Sequence, residues 1–198
     1  IVSARMLPEG VAYIGQYTFT LNAAQEMKQA LQALLAQHPK GVIWDLRSNG
    51  GGSMNTARDI LSYFVEDGVL FTAELKNGEK KQYQAQGEAI APDIPLVVLV
   101  GEHTYSAAET AAVAIQERGR GVVIGGKTYG KGTIQNTIPL IEECMLHLTI
   151  ARWLSPTGQW YGDGRGVTPD IAASDDEDTE EDEVLQFAVD YMLHNMLP

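Results

Sequence analysis

The segment Leu96-Val97-Val98-Leu99-Val100, set between Pro95 and Gly101, is apolar at every position, and this is what most limits the possible folds. A strand without a polar face has no side to give to water, so it must be covered on both faces. A helical pattern from Ser106 to Arg118 follows, ended by Gly119, and Gly121 to Ile124 reads as a second buried strand. The same order occurs earlier in the chain. Gly41 to Leu46 is a short apolar run, Arg47 to Ser53 a polar glycine-rich loop, and Asn55 to Glu66 a helix with Ala57, Ile60, Leu61, Phe64 and Val65 on one face. This alternation predicts an α/β fold with parallel strands.

Around that core, Val11 to Phe19 is β-like, and Leu21 to Gln37 is helical, with Asn22 and Gln25 placed to cap it and Pro39 to end it. Val69 to Leu75 and Lys80 to Gln84 flank Asn77-Gly78 and predict a hairpin, read as a surface ribbon. Cys144 to Leu154 alternates as a long strand, Gly162 to Gly166 is a glycine-rich loop, and Val184 to Leu197 predicts an amphipathic terminal helix. A chain of 198 residues can bury a core without metal or disulfide help, and one compact domain is expected. The expected organisation is a core over 1–173, an acidic linker over 174–183 and a terminal helix over 184–198.

The formal charge is −12, but the run from Asp175 to Glu183 supplies eight acidic residues, and without them the charge is −4. Only 14 Lys and Arg are present, unclustered, so no basic stripe exists for nucleic acid. The acidic run reads as a solvated linker or, alternatively, a dock for a basic partner. No apolar stretch approaches the length of a membrane span. The single Cys144 excludes an internal disulfide and reads as a small buried hydrophobe. The four His are scattered without ligand spacing, so neither metal nor cofactor is expected.

Three loops follow predicted strands at their carboxyl ends: Arg47 to Ser53, Gly101 to Ser106 and Gly125 to Gln135. In parallel α/β sheets sites gather at that edge, so these loops form the candidate site. Ser106 opens a helix, where free backbone N–H groups and the positive dipole end can stabilise an oxyanion; from this loop alone an ordinary N-cap is the commoner reading, since N-cap serines far outnumber nucleophiles. The third loop holds Lys127 and Lys131. It lacks the GxxxxGK[ST] pattern of a phosphate loop, whereas a desolvated lysine can act as a general base. Three successive glycines, Gly50 to Gly52, allow backbone N–H groups to approach a ligand. Asp45 and Arg47 read as an ion pair that fixes this loop. The GxSxG elbow is absent, and His103 is a weaker partner candidate for Ser106.

Taken together, four segments resemble the carboxyl-terminal processing, or tail-specific, proteases of the S41 serine peptidase family. Asp45-Leu46-Arg47-Ser48-Asn49-Gly50-Gly51-Gly52 is similar to D-L-R-x-N-x-G-G, with Gly50 where proline is common. Val98 to Glu109 is similar to the nucleophile segment, Gly125 to Gln135 to G-x-x-T-x-G-K-G-x-x-Q, and Gly164 to Asp170 to G-x-G-V-x-P-D. The resemblance runs from about Val2 to Ile171. It implies Ser106 as nucleophile, Lys131 as general base and Gln135 as the residue orienting the lysine. Lys131 should then be desolvated and free of a carboxylate partner. The oxyanion hole would combine the Ala107 N–H with one from the glycine loop, Gly51 by preference and Gly50 or Gly52 otherwise, while Lys127 would be exposed and dispensable.

The family fold is an α/β spiral akin to ClpP and crotonase cores, here with a β-hairpin excursion and a C-terminal helix. The implied activity is endopeptidase cleavage of polypeptides with accessible C-terminal tails, in an exported protein able to form a homo-oligomer. A PDZ domain usually precedes this core in the family, and none precedes Ile1 in this sequence. Two other classes stay open: a catalytically incompetent peptide-binding scaffold, and a crotonase-like acyl-CoA enzyme, for which the Ser–Lys–Gln spacing would have no use.

Overall fold

The computed structural model describes residues 1–141, 144–176 and 178–197. Glu177 of the acidic run and Pro198 of the expected terminal helix lie outside them. The chain runs β1 (Val2–Met6), β2 (Ala12–Gln16), α1 (Ala23–Leu35), β3 (Val42–Asp45), α2 (Met54–Leu61), β4 (Val69–Leu75) and β5 (Lys80–Gln84). It continues through β6 (Leu96–Val100), α3 (Ala107–Glu117), β7 (Val122–Gly125), β8 (Thr133–Pro139), β9 (Met145–Leu154), β10 (Ile171–Ala172) and α4 (Glu183–Asn195).

Six strands form one sheet in the order β1-β2-β3-β6-β7-β10, parallel except for the β1–β2 pair. The apolar run is β6, near the middle of this sheet, and its side chains divide by parity, as the two-residue period of a strand requires. Leu96, Val98 and Val100 join the core under α1, α2 and α3, together with Trp44 and Phe64, whose rings stack 5.4 Å apart. Val97 and Leu99 face the other way, with Ile43 and Ile124, and are covered by Val184, Ala188, Val189 and Met192 of α4. The terminal helix therefore closes the second face of the sheet.

A second, antiparallel sheet has the order β5-β4-β9-β8. Here the structure corrects the surface-ribbon reading of the Asn77-Gly78 hairpin. Its first strand, β4, pairs on both sides and buries Leu70, Phe71, Thr72 and Ala73, leaving only β5 exposed. The outer half of β8–β9 is the exposed element instead, with Ile138, Leu146, Leu148 and Ile150 in solvent. Cys144 is exposed rather than a buried hydrophobe, because it lies where this ribbon turns, beyond any core. Asn22 makes no side-chain cap to α1, whereas Ser53 Oγ accepts from the Thr56 N–H and caps α2. No helix among the described residues is long and apolar enough to cross a membrane.

Candidate active site

β3, β6 and β7 are adjacent and parallel, so the three loops leaving their carboxyl ends emerge along one edge of the sheet. The loop after β3 is locked internally. The Asn49 side chain donates to the Gln16 carbonyl (2.8 Å) and accepts from the Gly51 N–H (2.8 Å), while the Gly51 carbonyl accepts from the Phe19 N–H (2.8 Å). It is also tied to the second loop: Thr104 Oγ1 donates to the Leu46 carbonyl (2.8 Å), and the Tyr105 N–H donates to the Asn49 carbonyl (3.0 Å). Gly51 has φ +89°, and a Cβ there would stand 3.0 Å from Ser106 Cβ and 3.2 Å from the Ala107 nitrogen. Only glycine combines that backbone with that approach.

Ser106 adopts φ 52° and ψ −114° at the start of α3. An ordinary N-cap is extended, with negative φ, so this residue carries strain that a cap does not need. It is half-buried, and the Ala107 N–H beside it has no acceptor among the described hydrogen bonds.

The device that joins the second and third loops is Glu109, which is fully buried. Its Oε2 accepts from the Ser106 N–H (2.8 Å) and the Lys131 N–H (2.9 Å), and its Oε1 from Thr128 Oγ1 and the Gly130 N–H (both 2.6 Å). Two amides on one oxygen bring the Ser106 and Lys131 nitrogens within about 6 Å of each other. Gly130 makes this possible: at φ +91° it passes so close to the 162–166 loop that a Cβ would stand 2.6 Å from Gly164 Cα. Trp153 Nε1 and Trp160 Nε1 donate to the Lys131 and Gly132 carbonyls (2.8 and 2.9 Å) and pin the loop from its other side.

Lys131 Nζ donates to Gln135 Oε1 at 3.1 Å, so the third expected site residue does contact the lysine. No hydrogen bond among the described residues joins Ser106 Oγ to Lys131 Nζ, and no carboxylate forms an ion pair with that amine. Lys131 is half-buried, so its desolvation is partial. Lys127 is exposed, as expected. His103 is exposed, faces Glu102 at 3.7 Å and does not contact Ser106. The Gly51 N–H, preferred from the sequence as an oxyanion donor, already has Asn49 Oδ1 as its acceptor. Gly52 sits in a parallel bridge to Phe19, bracketed by the Phe19 N–H to Gly51 carbonyl and Ser53 N–H to Phe19 carbonyl bonds. In such a bridge the middle residue turns its own N–H away from the partner.

Beside Lys131 lies an open cavity of about 430 Å3 walled by Tyr129, Trp160 and Asp163. Tyr129, largely exposed, packs against Tyr105 with ring centroids 4.3 Å apart and planes tilted by 34°. Among the described residues no cluster of His, Cys, Asp and Glu fits a metal ion.

Sequence reasoning missed Glu109. The Ser106-x-x-Glu109 spacing is that of a capping box and signals its contact to the Ser106 N–H. Nothing local signals its bonds to the 128–131 loop.

Comparison with known proteins agrees with this geometry. The family model described as peptidase family S41 matches residues 10–173. The chloroplastic C-terminal processing peptidase of Tetradesmus obliquus is 34% identical over 175 residues, covering 86% of this chain and 38% of that protein. The carboxy-terminal processing protease CtpA of Bacillus subtilis is 34% identical over 173 residues, covering 87% of this chain and 37% of its own length. Among solved structures, the photosystem II D1 C-terminal processing protease superposes with a TM-score of 0.76 at 32% identity, over 85% of this chain and 45% of that one. The tricorn protease, at 17% identity and a TM-score of 0.57, shares the fold alone. The chain thus spans less than two fifths of the length of these curated relatives. With the fold, the four motifs and the comparisons in agreement, the chain belongs to peptidase family S41.

Proposed function

We propose that this chain is a serine endopeptidase core that cleaves polypeptides near their C-termini through an acyl-enzyme. The observation that carries this reading is the shared Glu109 carboxylate, which holds the strained Ser106 turn and the Lys131 loop against each other. Ser106 Oγ attacks the scissile carbonyl and its proton passes to neutral Lys131 Nζ. The oxyanion of the tetrahedral intermediate takes the Ala107 N–H and, as second donor, the Gly52 N–H, since that of Gly51 is engaged. The C–N bond breaks as Lys131 returns the proton to the leaving amine. Water then attacks the acyl-enzyme as Lys131 accepts its proton, and the ester C–O bond breaks as Lys131 passes that proton to Ser106 Oγ, releasing the carboxylic acid product.

In the arrangement described, the amine rests on Gln135 and must turn toward Ser106 for the first step. That resting position supports a second reading, a peptide-binding scaffold whose site does not turn over. Cleavage of β-casein by wild type, Ser106→Ala and Lys131→Ala, each checked for folding by circular dichroism, separates the two. Cleavage by wild type alone supports the dyad. Cleavage by Ser106→Ala refutes the nucleophile, and no cleavage by any leaves the scaffold. Export to a lumenal, periplasmic or extracellular compartment and the capacity to form a homo-oligomer belong to the same proposal.

A further inference from the structure

We infer that the acidic segment before α4 is a positioning device for the catalytic loops, acting through Arg47 rather than as a solvated linker. Arg47 sits in the loop after β3, 135 residues before Asp182 in sequence yet in direct touch with it: Nη1 and Nη2 each donate to an Asp182 carboxylate oxygen at 2.7 Å. Asp175 approaches the same guanidinium at 3.5 Å. The other side of Arg47 holds Asp45, through Nε (3.1 Å) and Nη2 (2.7 Å), and Asp45 in turn accepts from Tyr13 Oη (2.9 Å). One planar cation thus bridges the end of β3 to both ends of the acidic segment, a task that suits the fork of arginine and not the point charge of lysine.

The bridge leads into the site. Leu46 and Asn49, on either side of Arg47, accept from Thr104 Oγ1 and the Tyr105 N–H, and Tyr105 precedes Ser106. Asn49 also orients Gly51. Fixing Arg47 from the tail therefore fixes the loop from which the second oxyanion donor is drawn. A donor of that kind acts on charge that develops only in the transition state, so loosening it lowers kcat and leaves KM nearly unchanged. Asp182 has a second task, since its Oδ1 accepts from the Leu185 N–H and caps α4. Asn caps as well as Asp, so Asp182→Asn removes the charge while keeping the cap.

This inference rests on the peptidase reading, and its test has an arm independent of turnover. In the full chain, Asp182→Asn, Asp175→Asn, Arg47→Gln and the Arg47→Gln/Asp182→Asn pair are compared with wild type by casein kinetics and by hydrogen exchange of segments 46–53 and 104–107. The expected result is a kcat at least fivefold lower for Asp182→Asn, KM within twofold, faster exchange in both segments, and a double variant no worse than Arg47→Gln alone. Wild-type kcat and exchange in Asp182→Asn and Asp175→Asn, or fully additive losses in the double variant, overturn it. If wild type cleaves nothing, the peptidase reading fails, and the exchange comparison alone decides whether the tail orders the loops.

Discussion

At the scale of single residues, Glu109 shows how a site is assembled from distant sequence. Four donors converge on one fully buried carboxylate, and two of them, Thr128 Oγ1 and the Gly130 N–H, would be left buried without it. Glu109→Gln keeps the shape but replaces one acceptor oxygen by an NH2 group facing N–H and O–H donors. Stranded buried donors cost about 1–3 kcal/mol each, and relaxation spares some, so a loss of about 3 kcal/mol is expected from urea unfolding, with cleavage lost. Gly130→Ala tests the same junction from the backbone. Positive φ costs about 1–2 kcal/mol for an L-residue, and the added methyl meets Gly164 backbone, so this variant should be at least as unstable. The exposed Lys127 is the contrast: Lys127→Ala should leave stability within about 0.5 kcal/mol and cleavage unchanged in the same assays.

At the scale of elements, what could be read from sequence was what a local period encodes. β6 was evident because five apolar positions in a row admit no solvent face, and α2 because Ala57, Ile60 and Leu61 recur at helical spacing. β8 was not read: Gln135, Asn136 and Thr137 are exposed, so no burial pattern marks them as a strand, and only pairing with β9 makes them one. That the Ser106 and Lys131 loops lie side by side was legible because both follow strands of one parallel sheet and carry recognisable motifs. Glu109 and the Arg47–Asp182 pair were not, because each is defined by contacts between segments far apart in the chain.

The acidic segment also predicts how α4 responds to acid. Burial tends to raise the Asp182 carboxyl, but Arg47, the Leu185 N–H and, more remotely, Arg5 outweigh it and hold it below its usual value. Asp45 and Asp175 face the same guanidinium and compete for it. A carboxyl lowered on folding contributes stability above its unfolded pKa, and loses that contribution as pH falls through the folded one. The tail contact should therefore persist at neutral pH and weaken below about pH 4. Exchange of the α4 amides, followed by mass spectrometry from pH 7 to pH 3 and corrected for intrinsic rates, should reveal this loss in wild type and little of it in Asp182→Asn.

At the scale of the whole molecule, the central strands serve two cores at once. Val98 packs under α1 to α3 while Val97 and Leu99 pack under α4, so neither core can dissolve without exposing one face of the same strand. Met192 is fully buried and seats its sulfur where a Cβ on Gly41 would stand, next to the start of β3. Met192→Ala should cost about 3 kcal/mol, within the range for truncating a buried side chain. Because the strands are shared, that loss should move the entire transition instead of releasing α4 first. Tryptophan fluorescence, which reports the first core through Trp44, and far-ultraviolet circular dichroism should trace one coincident urea transition in wild type. The same single transition should shift to lower urea in Met192→Ala. Two separated steps, with fluorescence unchanged across the first, would mean that the terminal helix is a dispensable cover, and that the two cores are independent despite their common strands.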